Sequence, residues 1–125
     1  CAAALVTLDL IEQGYMQNAV EQGEYIMEAL EEMRSHHPTL KHGRVAGKGL
    51  MIGAELVLDE KRTPAAVVRN TVEKAALENG LLILGAGENT LRFCPPLMIE
   101  RDTVQQGLER FDLALTQAER EAGLL

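Results

Sequence analysis

The sequence predicts an α+β fold, in which a small, mainly antiparallel sheet has helices packed on one face. Apolar residues recur at helical spacing in four segments, and they alternate with polar or small residues in three others. The connections between these segments are short, which favours antiparallel neighbours. The predicted order is helix, helix, strand, helix, strand, strand, helix. Because no repeat or linker interrupts this order, residues 1–125 are expected to form one domain.

The first two predicted helices are separated by a glycine. One covers about residues 1–12 and stops before Gly14. The second places an apolar face opposite an acidic one, which is typical of a helix half in solvent. It ends at His36 and His37, because a residue that precedes a proline avoids helical backbone angles. Its apolar face comprises Ala19, Val20, Ile26, Met27, Leu30 and Met33.

A single long strand is predicted from Val45 to Leu58, followed by a turn and a third helix. Thr63 is expected to cap this helix, Pro64 to occupy its first position and Gly80 to end it. The buried face of the strand is expected to comprise Leu50, Ile52, Ala54, Leu56 and Leu58. The buried side of the helix is expected to comprise Val67, Val68, Thr71, Val72, Ala75 and Ala76.

Two short strands and a long helix complete the predicted chain. The strands cover Leu81–Leu84 and Thr90–Cys94, and Pro95-Pro96 ends the second because proline cannot donate a ladder hydrogen bond. The final helix has a core-facing stripe at spacings of three and four. That stripe comprises Val104, Leu108, Phe111, Leu115, Ala118 and Ala122, whereas Glu109, Arg110, Glu119 and Arg120 are expected in solvent.

Composition excludes several classes of function. The net charge is −7, opposite in sign to that of a chain built to follow a phosphate backbone, and aromatic residues make up only 3%. No apolar run is long enough for a membrane span, so neither nucleic acid nor membrane is expected as a partner. With only Cys1 and Cys94, the chain lacks a disulfide framework, which favours a cytoplasmic location.

Three glycine-rich segments, at 43–49, 47–53 and 85–90, superficially resemble phosphate-binding loops. Each departs from the required spacing or lacks a required residue, and the second and third lead into a strand rather than a helix. Turns and close backbone approaches are therefore expected there.

No metal site or covalent nucleophile is expected either. His36, His37 and His42 share one loop, but no histidine or cysteine pair has a metal-binding spacing, so exposed loop histidines are predicted. Ser35 is the only serine, and no nucleophile-elbow motif is present. Of the four lysines, only Lys48, between two glycines, is not plainly a surface residue.

Arg92 is the most distinctive candidate for binding. Strand alternation places Leu91 and Phe93 on one face and Arg92 with Cys94 on the other. A planar guanidinium in an apolar stretch is suited to grip a carboxylate through two parallel hydrogen bonds. Arginine is also common on the solvated face of a sheet, so the residues alone leave both interpretations open.

The segments Val45–Leu56 and Gly80–Ile99 resemble the C-terminal small domain of class III pyridoxal-phosphate-dependent aminotransferases. The most specific part is the run Asn89-x-x-Arg92-x-x-Pro95-Pro96-Leu97. This group includes 4-aminobutyrate, ornithine and acetylornithine aminotransferases. Residues 1–12 resemble the end of the helix that leads from the large domain. In such a family the arginine of this run binds a substrate carboxylate, and that position is Arg92.

The same resemblance implies that the cofactor lysine and the phosphate-binding turn belong to a large domain missing here. The chain is therefore expected to be an inactive fragment of a homodimeric transaminase acting on an amino acid, 4-aminobutyrate-like or ornithine-like, and a 2-oxo acid. No catalytic or cofactor-binding residue is expected within it, so pyridoxal phosphate would bind only the parent. A racemase or aminomutase is an alternative within the family. A stand-alone ligand-binding or oligomerisation module is the alternative outside it.

Overall fold

Four antiparallel strands form one sheet in the order β1-β2-β4-β3, in a computed structural model that describes all of residues 1–125. This arrangement confirms the predicted α+β class. The strands are β1 Val45–Lys48, β2 Met51–Glu55, β3 Leu84–Ala86 and β4 Thr90–Phe93. The helices are α1 Ala2–Leu10, α2 Met16–Met33, α3 Pro38–Lys41, α4 Ala66–Glu78 and α5 Arg101–Glu121, with a π-helical turn at Ile11–Tyr15.

The first two helices are separated as predicted, at Gly14. Its backbone angles, φ 164° and ψ −26°, are not helical, and they kink the chain within the π-helical turn. The preceding α1 buries none of its residues, whereas α2 packs Ile26 and Leu30 into the core. Gly23 of α2 brings this helix close to the sheet, because a Cβ there would lie 2.1 Å from the Gly49 carbonyl oxygen.

The predicted strand from Val45 to Leu58 is wrong in its first half. The chain reverses between β1 and β2, where Gly49 has a φ of +55° and Leu50 follows it as the second turn residue. Glycine at the first central position is typical of a type II′ hairpin turn. The predicted buried face is otherwise correct for Leu50, Ile52, Ala54 and Leu56, but Leu58 is 48% exposed because the sheet has ended before it.

The third predicted helix begins later than expected, at Ala66. Thr63 does not cap it; its N–H and hydroxyl instead donate hydrogen bonds to Asp59, at 3.0 and 2.7 Å. Pro64 pairs with Val57 in an isolated bridge rather than opening the helix. Val67, predicted to be buried, is 77% exposed. Gly80 ends the helix as predicted, with a φ of +75°.

The predicted strand at Leu81–Leu84 is displaced towards the C-terminus. Residues 81–83 run without strand pairing, and β3 pairs with β4 only from Leu84 onwards. The second short strand lies where it was predicted, at Thr90–Phe93. A turn at 87–89 joins the two.

The core lies between the inner face of the sheet and helices α2, α4 and α5. The stripe of α5 is buried from Val104 to Ala118, as predicted, but Ala122 follows the last helical turn and is exposed. Glu119, predicted in solvent, is completely buried. No helix combines the length and apolarity that crossing a bilayer requires.

Candidate functional site

Arg92 lies near the centre of the open sheet face. Its Cα is paired with Gly53 in β2 and with Leu84 in β3. Directly opposed residues of antiparallel strands place their side chains on the same face. Gly53 contributes no side chain beside Arg92 on that face.

The neighbours of Arg92 confirm the predicted alternation. Leu91 is fully buried, whereas Arg92 and Cys94 are exposed. Phe93 turns back to the helical side, where its ring meets Phe111 edge-on at a centroid distance of 5.0 Å. The buried Leu91 and the half-buried Phe93, on either side of Arg92, anchor β4 in the sheet.

The charge of Arg92 has no partner within the chain. Arg62 pairs with Glu55, and Arg69 pairs with Glu73 at 3.3 Å, but no ion pair or side-chain hydrogen bond involves Arg92. A guanidinium carries five donors in a rigid plane. All of them are available to an anion from outside the chain.

Arg92 also contributes to the lining of a groove of about 470 Å³ between the β3 side of the sheet and the first half of α5. Ten of its 18 lining residues are hydrophobic, among them Phe93, Pro95 and Pro96. The groove and Arg92 therefore suit a small molecule with an apolar part and a carboxylate.

The glycine-rich segments are turns and close approaches, as predicted. A Cβ on Gly43 would lie 1.9 Å from the Glu55 carbonyl oxygen, which leaves space for glycine alone. Gly87 has a φ of +63° in the turn between β3 and β4. All three segments lead into strands, so none presents a helix N-terminus to a phosphate.

A second polar cluster lies on the opposite side of the sheet, and the sequence did not predict it. His37 is 1% exposed, contrary to the expectation of exposed loop histidines, and its Nδ1 lies 2.6 Å from Glu119 Oε2. The other Glu119 oxygen accepts hydrogen bonds from the Thr39 N–H and hydroxyl, at 2.9 and 2.5 Å. His37 Nε2 lies 2.8 Å from Asp112 Oδ1. The one feature of the sequence that indicates burial of Glu119 is its spacing: it follows Phe111 and Leu115 at intervals of four, which places it on the same face of the helix.

This cluster changes the acidity of its members. Burial alone would lower the pKa of His37, but its hydrogen bonds to Glu119 and Asp112 outweigh burial and raise that pKa above its ordinary value. For Asp112 the directions are opposite. Burial alone would raise the pKa of its carboxyl, but hydrogen bonds from His37 and His36 outweigh burial and lower that pKa below its ordinary value. His37 therefore bridges two carboxylates, the buried Glu119 and the partly exposed Asp112, through its two ring nitrogens.

Comparison with known proteins agrees with this architecture. The family model described as aminotransferase class-III matches residues 1–115. The chain is 31% identical to the acetylornithine aminotransferase of Caldanaerobacter subterraneus over 94% of its own length and 28% of that protein. It is 38% identical to the isoleucine 2-epimerase of Lentilactobacillus buchneri over 94% of its length and 26% of the epimerase.

Solved structures place the fold in the same group. The omega transaminase of Pseudomonas jessenii in complex with PMP superposes with a TM-score of 0.87 and 28% identity, covering 98% of this chain and 27% of that one. The fold is thus that of a transaminase domain. The chain belongs to the class III aminotransferase family. It spans about a quarter of the length of the curated relatives it matches.

Class III aminotransferases use pyridoxal phosphate, and the residues of this chain do not fit its attachment. A lysine that forms a Schiff base needs apolar or cationic surroundings that make its amine nucleophilic. Lys41, Lys48, Lys61 and Lys74 are all exposed, including Lys48 at the end of β1. No glycine-rich segment offers the helix N-terminus that would hold its phosphate.

Proposed function

We propose that this chain is the carboxylate-binding domain of a pyridoxal-phosphate-dependent transaminase, which moves an amino group between an amino acid and a 2-oxo acid. The observation that carries the proposal is Arg92, an exposed and unpaired cation beside an apolar groove in a class III aminotransferase chain. Amino acids and 2-oxo acids both carry the carboxylate that such a cation binds.

The chemistry of arginine makes this role specific. Two parallel hydrogen bonds from the guanidinium fix the orientation of a carboxylate as well as its charge. Orienting a substrate in this way brings its reacting carbon to a defined position. Because hydrogen bonds to charged groups contribute about 1.5–3 kcal/mol, loss of Arg92 is expected to weaken carboxylate binding by about one to two orders of magnitude.

The test is substitution of Arg92 in the full-length protein. Arg92→Ala is expected to lower kcat/KM for the 2-oxo acid by about 10- to 100-fold, and Arg92→Lys to recover part of it as a single charge without the planar fork. Arg120→Ala on the last turn of α5, where the side chain is also exposed, serves as the matched control. Equal kinetics for Arg92→Ala and Arg120→Ala would contradict the role.

We propose further that the 125 residues alone are inactive and that the cofactor attaches elsewhere in the parent. The exposure of all four lysines supports this. Mixing the chain with pyridoxal phosphate and reducing it with borohydride is expected to give no stoichiometric, site-specific lysine adduct in mass spectrometry. A single adduct at Lys48, absent in Lys48→Arg, would contradict the proposal.

For the parent, we propose an amino donor of the acetylornithine, ornithine or 4-aminobutyrate type, in a cytoplasmic homodimer. Similarity to an acetylornithine aminotransferase supports the first of these donors. Two free cysteines are consistent with a reducing compartment. On α1, Leu5, Val6 and Leu8 are each more than half exposed, and we propose that the rest of the parent covers them.

The alternative within the family is amino-acid racemisation, which similarity to an isoleucine 2-epimerase favours. Arg92 would hold the carboxylate in either reaction, so it does not distinguish them. Incubation of the full-length protein with a single L-amino acid, without a 2-oxo acid, does. Formation of the other epimer would support epimerisation, whereas turnover only after addition of a 2-oxo acid would support transamination.

A further inference from the structure

Two histidine rings and a carboxylate converge where the loop after α2 meets α5. His36 Nε2 lies 3.2 Å from Asp112 Oδ1, and His37 Nε2 lies 2.8 Å from the same oxygen. The three potential ligand atoms all lie within 4.8 Å of one another. They belong to residues 36, 37 and 112, so folding brings together groups that no local sequence spacing relates.

Hydrogen bonds at the far side of each ring fix which nitrogen points inward. The Ser35 hydroxyl donates to the Glu32 carbonyl at 2.8 Å, so its oxygen is left to accept from His36 Nδ1–H at 3.2 Å. Glu119, whose carboxylate can only accept, takes the proton of His37 Nδ1. In both rings Nδ1 therefore carries the hydrogen, and Nε2 faces Asp112.

Both Nε2 atoms and the Asp112 oxygen are electron-pair donors when the rings are neutral. Three such atoms facing one another repel unless a positive charge lies between them. Either protons on the Nε2 atoms or a bound cation supplies that charge. The outer hydrogen bonds from Nδ1 to Ser35 and Glu119 are the arrangement that holds and orients metal-binding histidines in proteins.

We propose that His36 Nε2, His37 Nε2 and Asp112 Oδ1 form a binding site for a divalent transition metal, best matched by zinc. Zinc takes nitrogen and carboxylate ligands in a tetrahedron, whereas magnesium and calcium prefer oxygen alone. Metal–ligand bonds of about 2.0–2.1 Å place neighbouring ligands about 3.3 Å apart. The two Nε2–Oδ1 separations, 2.8 and 3.2 Å, are slightly shorter than this, and the two Nε2 atoms lie within 4.8 Å of each other. Binding therefore requires an adjustment of the exposed His36 ring relative to His37.

Burial and charge agree with this assignment. The His36 side chain is 57% exposed and that of Asp112 37%, so a metal can enter from solvent and keep water as its fourth ligand. His37 is buried and is held through its other ring nitrogen by Glu119. Asp112 and the buried Glu119 together supply two negative charges opposite the dication. A bound metal would tie the loop after α2 to the C-terminal half of α5.

Titration with zinc chloride and with cobalt chloride tests the site. The untagged chain is used with Cys1→Ser and Cys94→Ser, because the thiol and amine of an N-terminal cysteine would chelate these metals. Calorimetry with zinc near neutral pH is expected to show one equivalent bound. Cobalt is expected to give the visible absorption of a four- or five-coordinate complex.

Ligand variants decide where the metal binds. His36→Gln and Asp112→Asn change partly exposed residues, and each is expected to weaken zinc binding by at least about tenfold, the loss seen when even an outer hydrogen-bond partner is removed. His42→Gln, just beyond the end of α3 and outside the cluster, is the control and is expected to bind like its parent. No stoichiometric binding, or binding that survives His36→Gln and Asp112→Asn, would overturn the proposal.

Discussion

Arg92 and Glu119 are charged side chains in opposite surroundings. Glu119 lies on the buried face of α5, with His37 and Thr39 satisfying both of its oxygens. Arg92 stands on the open sheet face with no partner. A buried charge is tolerated only when it is paired, so removing one partner strongly destabilises a fold, whereas an exposed charge contributes little to stability. The comparison separates a residue that holds the fold from one available to a ligand.

The largest expected loss of stability comes from Glu119→Ala. The substitution leaves the buried His37 Nδ1 and two Thr39 donors without their acceptor, which should cost about 3–5 kcal/mol in the free energy of unfolding. Urea denaturation at neutral pH measures it. Glu109→Ala, an exposed acid on the same helix, should change stability by less than about 0.5 kcal/mol. Similar values for the two variants would mean that the buried network does not hold the fold.

A smaller loss is expected where α2 touches the β1–β2 hairpin. In Gly23→Ala the new methyl group would lie 2.1 Å from the Gly49 carbonyl oxygen, and backbone must move to admit it, at a cost of about 1–3 kcal/mol. Gly107→Ala in α5 is the control, because its methyl group meets nothing nearer than Leu81 Cδ1 at 3.9 Å. Removing a helical glycine there should stabilise the chain by about 0.5–1 kcal/mol. The same sign for both variants would contradict the packing described.

The smallest effect is expected in the turn that precedes α4. The Thr63 N–H and hydroxyl donate to Asp59 and lower the pKa of that carboxyl. Thr63→Val keeps the N–H but removes the hydroxyl, so an NMR titration should find the pKa of Asp59 moved back towards its ordinary value. The contribution of this carboxylate to stability is fully present above its ordinary pKa and is lost as the pH falls from there through the lowered pKa. An unchanged pKa of Asp59 in Thr63→Val would show that the Thr63 hydroxyl does not donate a hydrogen bond to this carboxylate.

Periodicity predicted the helices and the buried phase of β2, because both depend on residues near one another in sequence. It did not reveal the reversal at Gly49, since alternation continues on the far side of a two-residue turn. The burial of Val67 was predicted wrongly for a related reason. A valine is apolar wherever it lies, so its presence in a helix does not show that it faces the core. The position of Arg92 was predicted because strand alternation is local.

The Glu119 cluster could not be predicted in the same way. Its partner His37 lies 82 residues away in sequence, and acidic residues on an amphipathic helix are usually solvated. The interval of four that places Glu119 above Phe111 and Leu115 marks it as inward-facing. Without knowledge of which loop covers that end of α5, the interval does not identify the partner.

The central claim is that Arg92 serves a substrate carboxylate and not the fold. The most direct measurement is the kcat/KM of full-length wild-type and Arg92→Ala proteins for an amino acid and for a matched amine that lacks the carboxylate. The preference for the amino acid should fall by about 10- to 100-fold in Arg92→Ala, with turnover of the amine unchanged. An unchanged preference, or an equal loss for both substrates, would contradict the assignment.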